Sequence, residues 1–488
     1  MVGTRGSQAP HSPLTTPLTM TTAEQAAASV SSRRVWRIGL GLLTLLLAIV
    51  GWLIIFLDGP PPDDADIIPQ WSTQTTDSNP LAVFCADIKK TSVEEVFTIP
   101  ESTRYLHKGS EAEVQAFLDS QSMAFTLFDH LMATDPATWQ WPGGIQVTDI
   151  MAPPDYFAKI REMSFTMRMK VQQLSRQGHH EEALQHCLSL VAFGHRLHGS
   201  KGTIIHQMAA STTFTTALSL IEEVMANGAF TEGQLQQIQM DLEPLIGCSP
   251  TDYAFALRGE YLSLKRCLPE ARQKGWGVMY DGSTPLPGIL GRMVKTNHTM
   301  SLDLALMRPV VAALTRSWHE ALIANEQLSR DIQHLQSQIH KPRFYLDGNY
   351  GGKVLVIQTH TMTNFLPRIL ATNSQYQEVL TMLALRRFEL QHGRLPATLD
   401  ELVPTYLAAP PIDPFSDAPL RWDASRKILY SVGPNLTDDG GAIDPGKRRR
   451  GEDAGNLYWW SPEAIREREE QLQEKNTSSP GKRKTRSL

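Results

Sequence analysis

The sequence predicts a mainly α-helical protein with a single transmembrane helix, an extracytoplasmic helical bundle that includes a long helix, and a small α+β C-terminal module. Three observations carry that class. Residues 35–57 contain no acid and one base, Arg37. Between residues 110 and 345 apolar side chains recur three and four positions apart, the spacing of helices with one buried face. From about residue 374 the pattern becomes one helix followed by short runs bracketing turn residues.

The apolar run comes first. A bilayer core is crossed by about 20 apolar residues in helix, so residues 35–57 can span once. Arg33, Arg34 and Arg37 crowd one end, and Asp58, Asp63, Asp64 and Asp66 follow the other. Basic flanks stay in the cytoplasm, which places the bulk of the chain outside, in the periplasm of an inner-membrane protein. Trp36 and Trp52 suit the two interfaces. The competing reading is a signal peptide, but those have apolar regions of about 7–15 residues ending in a small-x-small site. GWLIIFLDGPPP offers none.

The expected division is a disordered cytoplasmic tail (1–34), the span (35–57), an acidic, Pro-stiffened spacer (58–109), a helical domain (110–345), the α+β module (374–460) and a charged tail (461–488). A hydrophobic content of 41% supports a packed ectodomain, and a net charge of −5 argues against nucleic acid as partner. The basic runs at 447–450 and 482–486 read as solvated, or as contacts for anionic polysaccharide or lipid headgroups. Of the four cysteines, Cys248 and Cys267 close a short loop and are the preferred pair in an oxidising compartment. The alternative is four buried thiols, since Cys187 and Cys267 lie on apolar helix faces.

Within the helical domain, Ser110 and Glu113 form a capping box ahead of Val114, Phe117, Leu118, Phe125, Phe128 and Met132. A second helix is expected over about 155–177, a third after Gly178, two or three more over 202–245, and another over 250–268. QGHHEEALQHCLSLVAFGHRL reads like a helix pair of a tetratricopeptide-type repeat, yet no 34-residue period continues, so a bundle is the plainer expectation. Residues 311–339 carry a heptad stripe from Val311 through Leu328 to Ile339, with the polar Asn325 inside it. That stripe fits a homodimeric coiled coil, or a long helix packed within the bundle. KVLVIQ, after DGNYGG, fits strand and helix equally.

Candidate chemistry is sparse. His195 and His198, three apart on a helix, could share a metal ion, but no third ligand stands at diagnostic spacing. Glu260 lies on an apolar stripe beside Arg258, the setting of a buried ion pair more than of a catalytic acid. There is no GxSxG, no P-loop and no strand-bound GxGxxG. An interaction or scaffold role is therefore the first expectation, without enzymatic activity. A hydrolase-like site around His195, His198 and Glu260 is the alternative.

In the module, Tyr376, Val379, Leu380, Leu383, Ala384 and Phe388 mark a helix, Thr398 and Glu401 cap a short one, PLRW and KILYSV form a hairpin around DASR, and LYWW closes as a strand. RRFELQHGRLPATLDELVPTYL, PIDPFSDAPLRW and ILYSVGPNLTDDGG together resemble the C-terminal head of the major pseudopilins of type II secretion. The resemblance covers about residues 379–460, most specifically HGRLP, Asp413-Pro414-Phe415 and YSVGPN with its Gly-Gly. The membrane helix lacks the early glutamate of that family, and some 300 residues intervene, so this reads as a pseudopilin-like head on a different stalk. The whole layout resembles membrane-anchored envelope proteins of planctomycete and verrucomicrobial type, which implies no activity. The pseudopilin resemblance implies an envelope or secretion-type protein partner and a calcium ion. Matching calcium ligands would be the Val432 carbonyl, Asn435, Asp439 and Asp453. Asn435 replaces an expected aspartate, and Lys447-Arg448-Arg449-Arg450 is inserted in the loop, so a solvated turn is the competing reading.

Overall fold

The computed structural model describes residues 22–69, 78–91, 111–142, 155–274, 293–346, 348–360, 365–441, 455–461, 463–464 and 466. Its first helix, α1 (Thr22–Phe56), contains the apolar run. Val35–Leu53 has mean hydropathy 1.9 and no buried residue, and is long and apolar enough to cross a membrane. The helix starts inside the expected 1–34 tail, whose first 21 residues lie outside the described ones.

The expected spacer over 58–109 does not hold where it is described. Residues 58–68 lie against the bundle, with Ile67 1% exposed, and α2 (Pro80–Thr91) sends Leu81, Phe84 and Ile88 into the core. Residues 92–110, with the expected cap Ser110, lie outside the described residues. The helix expected behind that cap is two, α3 (Glu111–Ser120) and α4 (Ser122–Met132), broken at Gln121.

The next elements match their spacing. They are α5 (Asp155–Arg176), α6 (His180–Gly199), α7 (Ile204–Asn227), α8 (Glu232–Leu242) and α9 (Pro250–Lys274). Gly178 ends α5 at φ +80°, a conformation that costs little without a Cβ. A Cβ on Gly194 would stand 2.9 Å from Phe214 Cα, so glycine there lets α6 and α7 pack backbone to backbone. Phe193, beneath, is met edge-on by Phe84, Phe128 and Trp139.

The expected long helix over 311–339 is also two. Helix α10 (Thr296–Ala313) ends before a turn, and α11 (Trp318–Ser337) starts with Ser317 Oγ accepting from Glu320 N at 3.1 Å. The stripe residues Val311, Leu314, Asn325, Leu328 and Ile332 are buried within this chain, and Trp318, Leu335 and Ile339 pack half-buried against the same core, the arrangement of helices packed within the bundle. After the short α12 (Pro342–Leu346) comes α13 (Tyr350–His360), which contains KVLVIQ. Tyr350, Val354, Leu355, Val356 and Ile357 are all buried, and burial on every side erases the periodicity that would have marked a helix.

Helix α14 (Leu366–His392) organises the rest. Its first turns, with Leu366, Ile369 and Leu370, belong to a core shared by α9, α10, α11 and α13. Its later turns, Tyr376 to Phe388, belong to a second core with α2 and α4–α8. The boundary expected at 374 therefore falls inside one continuous helix. Beyond the αL residue Gly393, a cis Val403-Pro404 bond leads to a three-stranded antiparallel sheet in the order β1 (Arg421–Asp423), β2 (Ile428–Tyr430), β3 (Gly455–Leu457). The hairpin matches its expected place, while the last strand ends where LYWW begins. The turn expected to be capped by Thr398 is a 3-10 helix (Leu399–Leu402) without that side-chain bond. Glu401 instead accepts from Ala397 N and Arg394.

No disulfide forms among the four cysteines. All are buried free thiols, with Cys248 Sγ 3.3 Å from Gln207 Oε1 and Cys267 Sγ 3.1 Å from the Leu264 carbonyl. The preferred Cys248–Cys267 pair is thereby set aside.

Candidate functional site

The chain leaves α1 straight into a seat on the bundle. Asp58, the second residue past the helix end, accepts from Asn297 N at 2.8 Å and His298 N at 3.1 Å. Those are N–H groups of the first turn of α10, which its own cap residue, Lys295, leaves without a side-chain partner. Asn297 Nδ2 in turn donates to the Gly59 carbonyl at 2.6 Å. Farther on, Asp64 accepts from Tyr261 Oη at 2.7 Å and Lys265 Nζ at 2.6 Å. Arg308 grips both Asp66 oxygens, at 2.8 and 3.1 Å, and the Asp63 carbonyl at 2.8 Å. Burial pushes the Asp58 and Asp64 carboxyls upward, but the donors around them outweigh it and hold both below the usual range. The Arg308 guanidinium does the same for Asp66.

The motifs of the C-terminal module meet at Asp413, 1% exposed. Its carboxylate accepts from Phe415 N at 3.0 Å, Ser431 Oγ at 2.8 Å, Val432 N at 3.0 Å and Ser416 Oγ at 3.3 Å. The DPF turn is thus tied to YSVG through one buried carboxylate, and Trp422 Nε1 donates to the Pro396 carbonyl of HGRLP at 3.0 Å. Phe415 and Val432 pack in the core with α9 and α10, and His319 Nδ1 of α11 lies 2.7 Å from the Phe415 carbonyl.

Of the expected calcium ligands, Asn435 and Asp439 are brought together in the loop after YSVG. Asn435 turns its amide N–H toward Asp439 Oδ2 at 2.8 Å and accepts from Thr437 N at 3.0 Å, so its polar atoms serve the loop itself. Val432 is buried with its N–H on Asp413, and Asp453 lies outside the described residues. Among the described residues no group of three or more His, Cys, Asp or Glu is placed to hold a metal ion.

The histidine and acid candidates occupy structural posts. His195 Nδ1 lies 2.7 Å from the Ile246 carbonyl, while His198 Nδ1 donates inward to Gln207 Oε1 at 2.7 Å. The two rings therefore serve different partners. Burial lowers His198 to about 4, so it is neutral at pH 7. Glu260 accepts from Ile204 N at 2.9 Å, capping the first turn of α7, and burial raises its pKa against that bond. Beside it, Thr203 N donates to His206 Nδ1 at 2.9 Å, which leaves the ring proton on Nε2, 2.8 Å from Tyr156 Oη. Arg258 is not its partner in any of these bonds.

Two features had no sequence signal. Asp303 Oδ1 and His360 Nε2 lie 2.6 Å apart inside the bundle, and Asp303 Oδ2 is buried without a hydrogen bond. Their separation of 57 residues hides the pair from spacing arguments. The second is a groove of about 460 Å³ along α5 and α7. These helices run side by side in the same direction, joined at Tyr156–His206, Ser164–Thr213 and Gln172–Glu223. Arg161 and Arg168 stand exposed on its rim.

Fold and sites define a mainly helical protein with one membrane-length N-terminal helix and a small sheet built into its end. The chain matches no family model, no curated protein and no solved structure.

Proposed function

We propose that the chain is a membrane-anchored extracytoplasmic interaction protein, a scaffold that presents its bundle and pseudopilin-like module to an envelope or secretion-type partner. The observation that carries this reading is the seat of residues 58–68. An enzyme meeting a diffusing substrate works as well on a flexible tether. A docking surface gains from fixed height and orientation, because freedom removed in advance is not lost again on binding. Further support comes from the posts held by His195, His198 and Glu260, each already engaged in fixing a helix end or a loop. The basic flank of α1 favours a cytoplasmic N-terminus.

The test is site-specific photo-crosslinking in intact membranes from Leu390 and Ile412, exposed apolar residues of the module, at 42% and 45%. One recurrent envelope species is expected from both positions, weakened when the seat is opened by Asp64→Ala with Arg308→Glu. Random or absent crosslinks from both positions reject the proposal.

A further inference from the structure

The groove between α5 and α7 faces outward, and its floor is apolar. Ile160 is buried there, Phe157, Phe165 and Met208 are half-buried, and Ile205 is 38% exposed. Ser164 and Thr213 satisfy each other beneath it at 3.1 Å. The Thr212 and Thr216 hydroxyls, on the α7 side, donate to carbonyls of their own helix. The floor therefore asks a ligand for no hydrogen bond.

Charge sits only at the edge. Arg161 and Arg168 are exposed, and among the described residues neither has a hydrogen bond or an ion pair. The other charged group along the groove is Asp155, at one end, which is engaged elsewhere. Seven residues separate the two arginines, about 10 Å along one helix face.

Length and charge select the occupant. From Asp155 to Arg168 the groove runs roughly 20 Å at the α-helical rise. A single hydrocarbon chain can lie along that length on the apolar floor, while a charged head meets the two arginines at the edge. The geometry points to a binding site for a free, single-chain anionic amphiphile: the chain lies on Phe157, Ile160, Ile205 and Met208, and a carboxylate or phosphate head pairs with Arg161 or Arg168. Arginine suits both heads through its planar fork of donors. This site is independent of the partner proposed for the module.

The test is calorimetric titration of sodium laurate, below its micellar concentration, into the full chain held in amphipol. Dodecyltrimethylammonium serves as the probe of opposite charge. A saturable one-site isotherm is expected for laurate alone. Arg161→Gln with Arg168→Gln should weaken it three- to tenfold, and Ala209→Trp, which fills the groove, should remove it, with the melting temperatures of both variants showing that the fold is kept. Equal binding of the cationic probe, or laurate heats unchanged in the Ala209→Trp chain, overturns the site. So does protection of the groove by phosphatidylglycerol vesicles without any binding of free laurate, which would assign it to bilayer lipid.

Discussion

Asp413 shows how one side chain can hold a module together. Four donors from two separate motifs converge on a carboxylate that water does not reach. Hydrogen bonds to a charged acceptor contribute about 1.5–3 kcal/mol each, and an orphaned buried donor costs a further 1–3. Asp413→Ala should therefore destabilise the protein by about 3 kcal/mol or more, read as a drop in the denaturant midpoint. Asp423→Ala, at an exposed turn, should cost much less, and equal losses would contradict the central role of Asp413. Burial acts on histidines with a definite sign. It lowers His206 to about 3 and His198 to about 4, from an ordinary value of 6.5. The unfolded chain then binds protons that the folded chain refuses. Their stabilising contribution is whole above about pH 6.5 and is lost as pH falls toward 4 and then 3. Glu260 and Asp252, raised by burial, act in the opposite sense and offset part of the loss. Urea midpoints should fall from pH 7 to pH 5, and His206→Gln should flatten that slope. An unaltered slope would show that His206 is not the group responsible.

At the scale of elements, α14 decides what counts as a domain. The resemblance begins near residue 379, yet the helix that carries it starts at Leu366 and passes through both cores. Arg387, 6% exposed, reaches from α14 to Glu232 at 2.8 Å and Gln239 at 3.1 Å on α8. A fragment of residues 374–488 leaves Met382, Leu383 and Leu385 bare and that guanidinium unpaired. It should be largely unfolded by circular dichroism and readily proteolysed, and a cooperative melt would restore the independent module. Much of the helical order was legible in the sequence, because α5, α6 and α9 carry buried apolar residues at three- and four-residue spacing. The 311–339 stripe was legible as helix and silent on interface, since a heptad repeat records that a face is covered without recording what covers it. Val354 to Ile357 gave no period because all four are buried. Asp58, Asp64 and Asp66 read only as part of an acidic spacer, for their partners lie 201 to 242 residues away. The groove arginines were equally hidden, since nothing local distinguishes an unpaired surface base from a paired one.

For the whole molecule, the question is whether the bundle swings or stands. Each contact of the seat is modest alone: exposed ion pairs such as Arg308–Asp66 contribute about 0.2–1 kcal/mol. Burial of one isoleucine, here Ile67, adds about 1.5–3 kcal/mol. Together with the capping of α10 by Asp58, a sum near 4 kcal/mol would leave roughly one molecule in a thousand detached. Removing the Asp64 and Arg308 contacts together should raise that fraction tenfold or more. A fluorophore at Gln327, exposed on α11, would report the height of the bundle above a dye-labelled bilayer. One narrow distance distribution is expected for the parent chain, and a broader one for Asp64→Ala with Arg308→Glu at unchanged helicity. A parent distribution as broad as the variant's would mean that the seat closes too weakly to fix the bundle, and the scaffold reading would lose the observation that carries it.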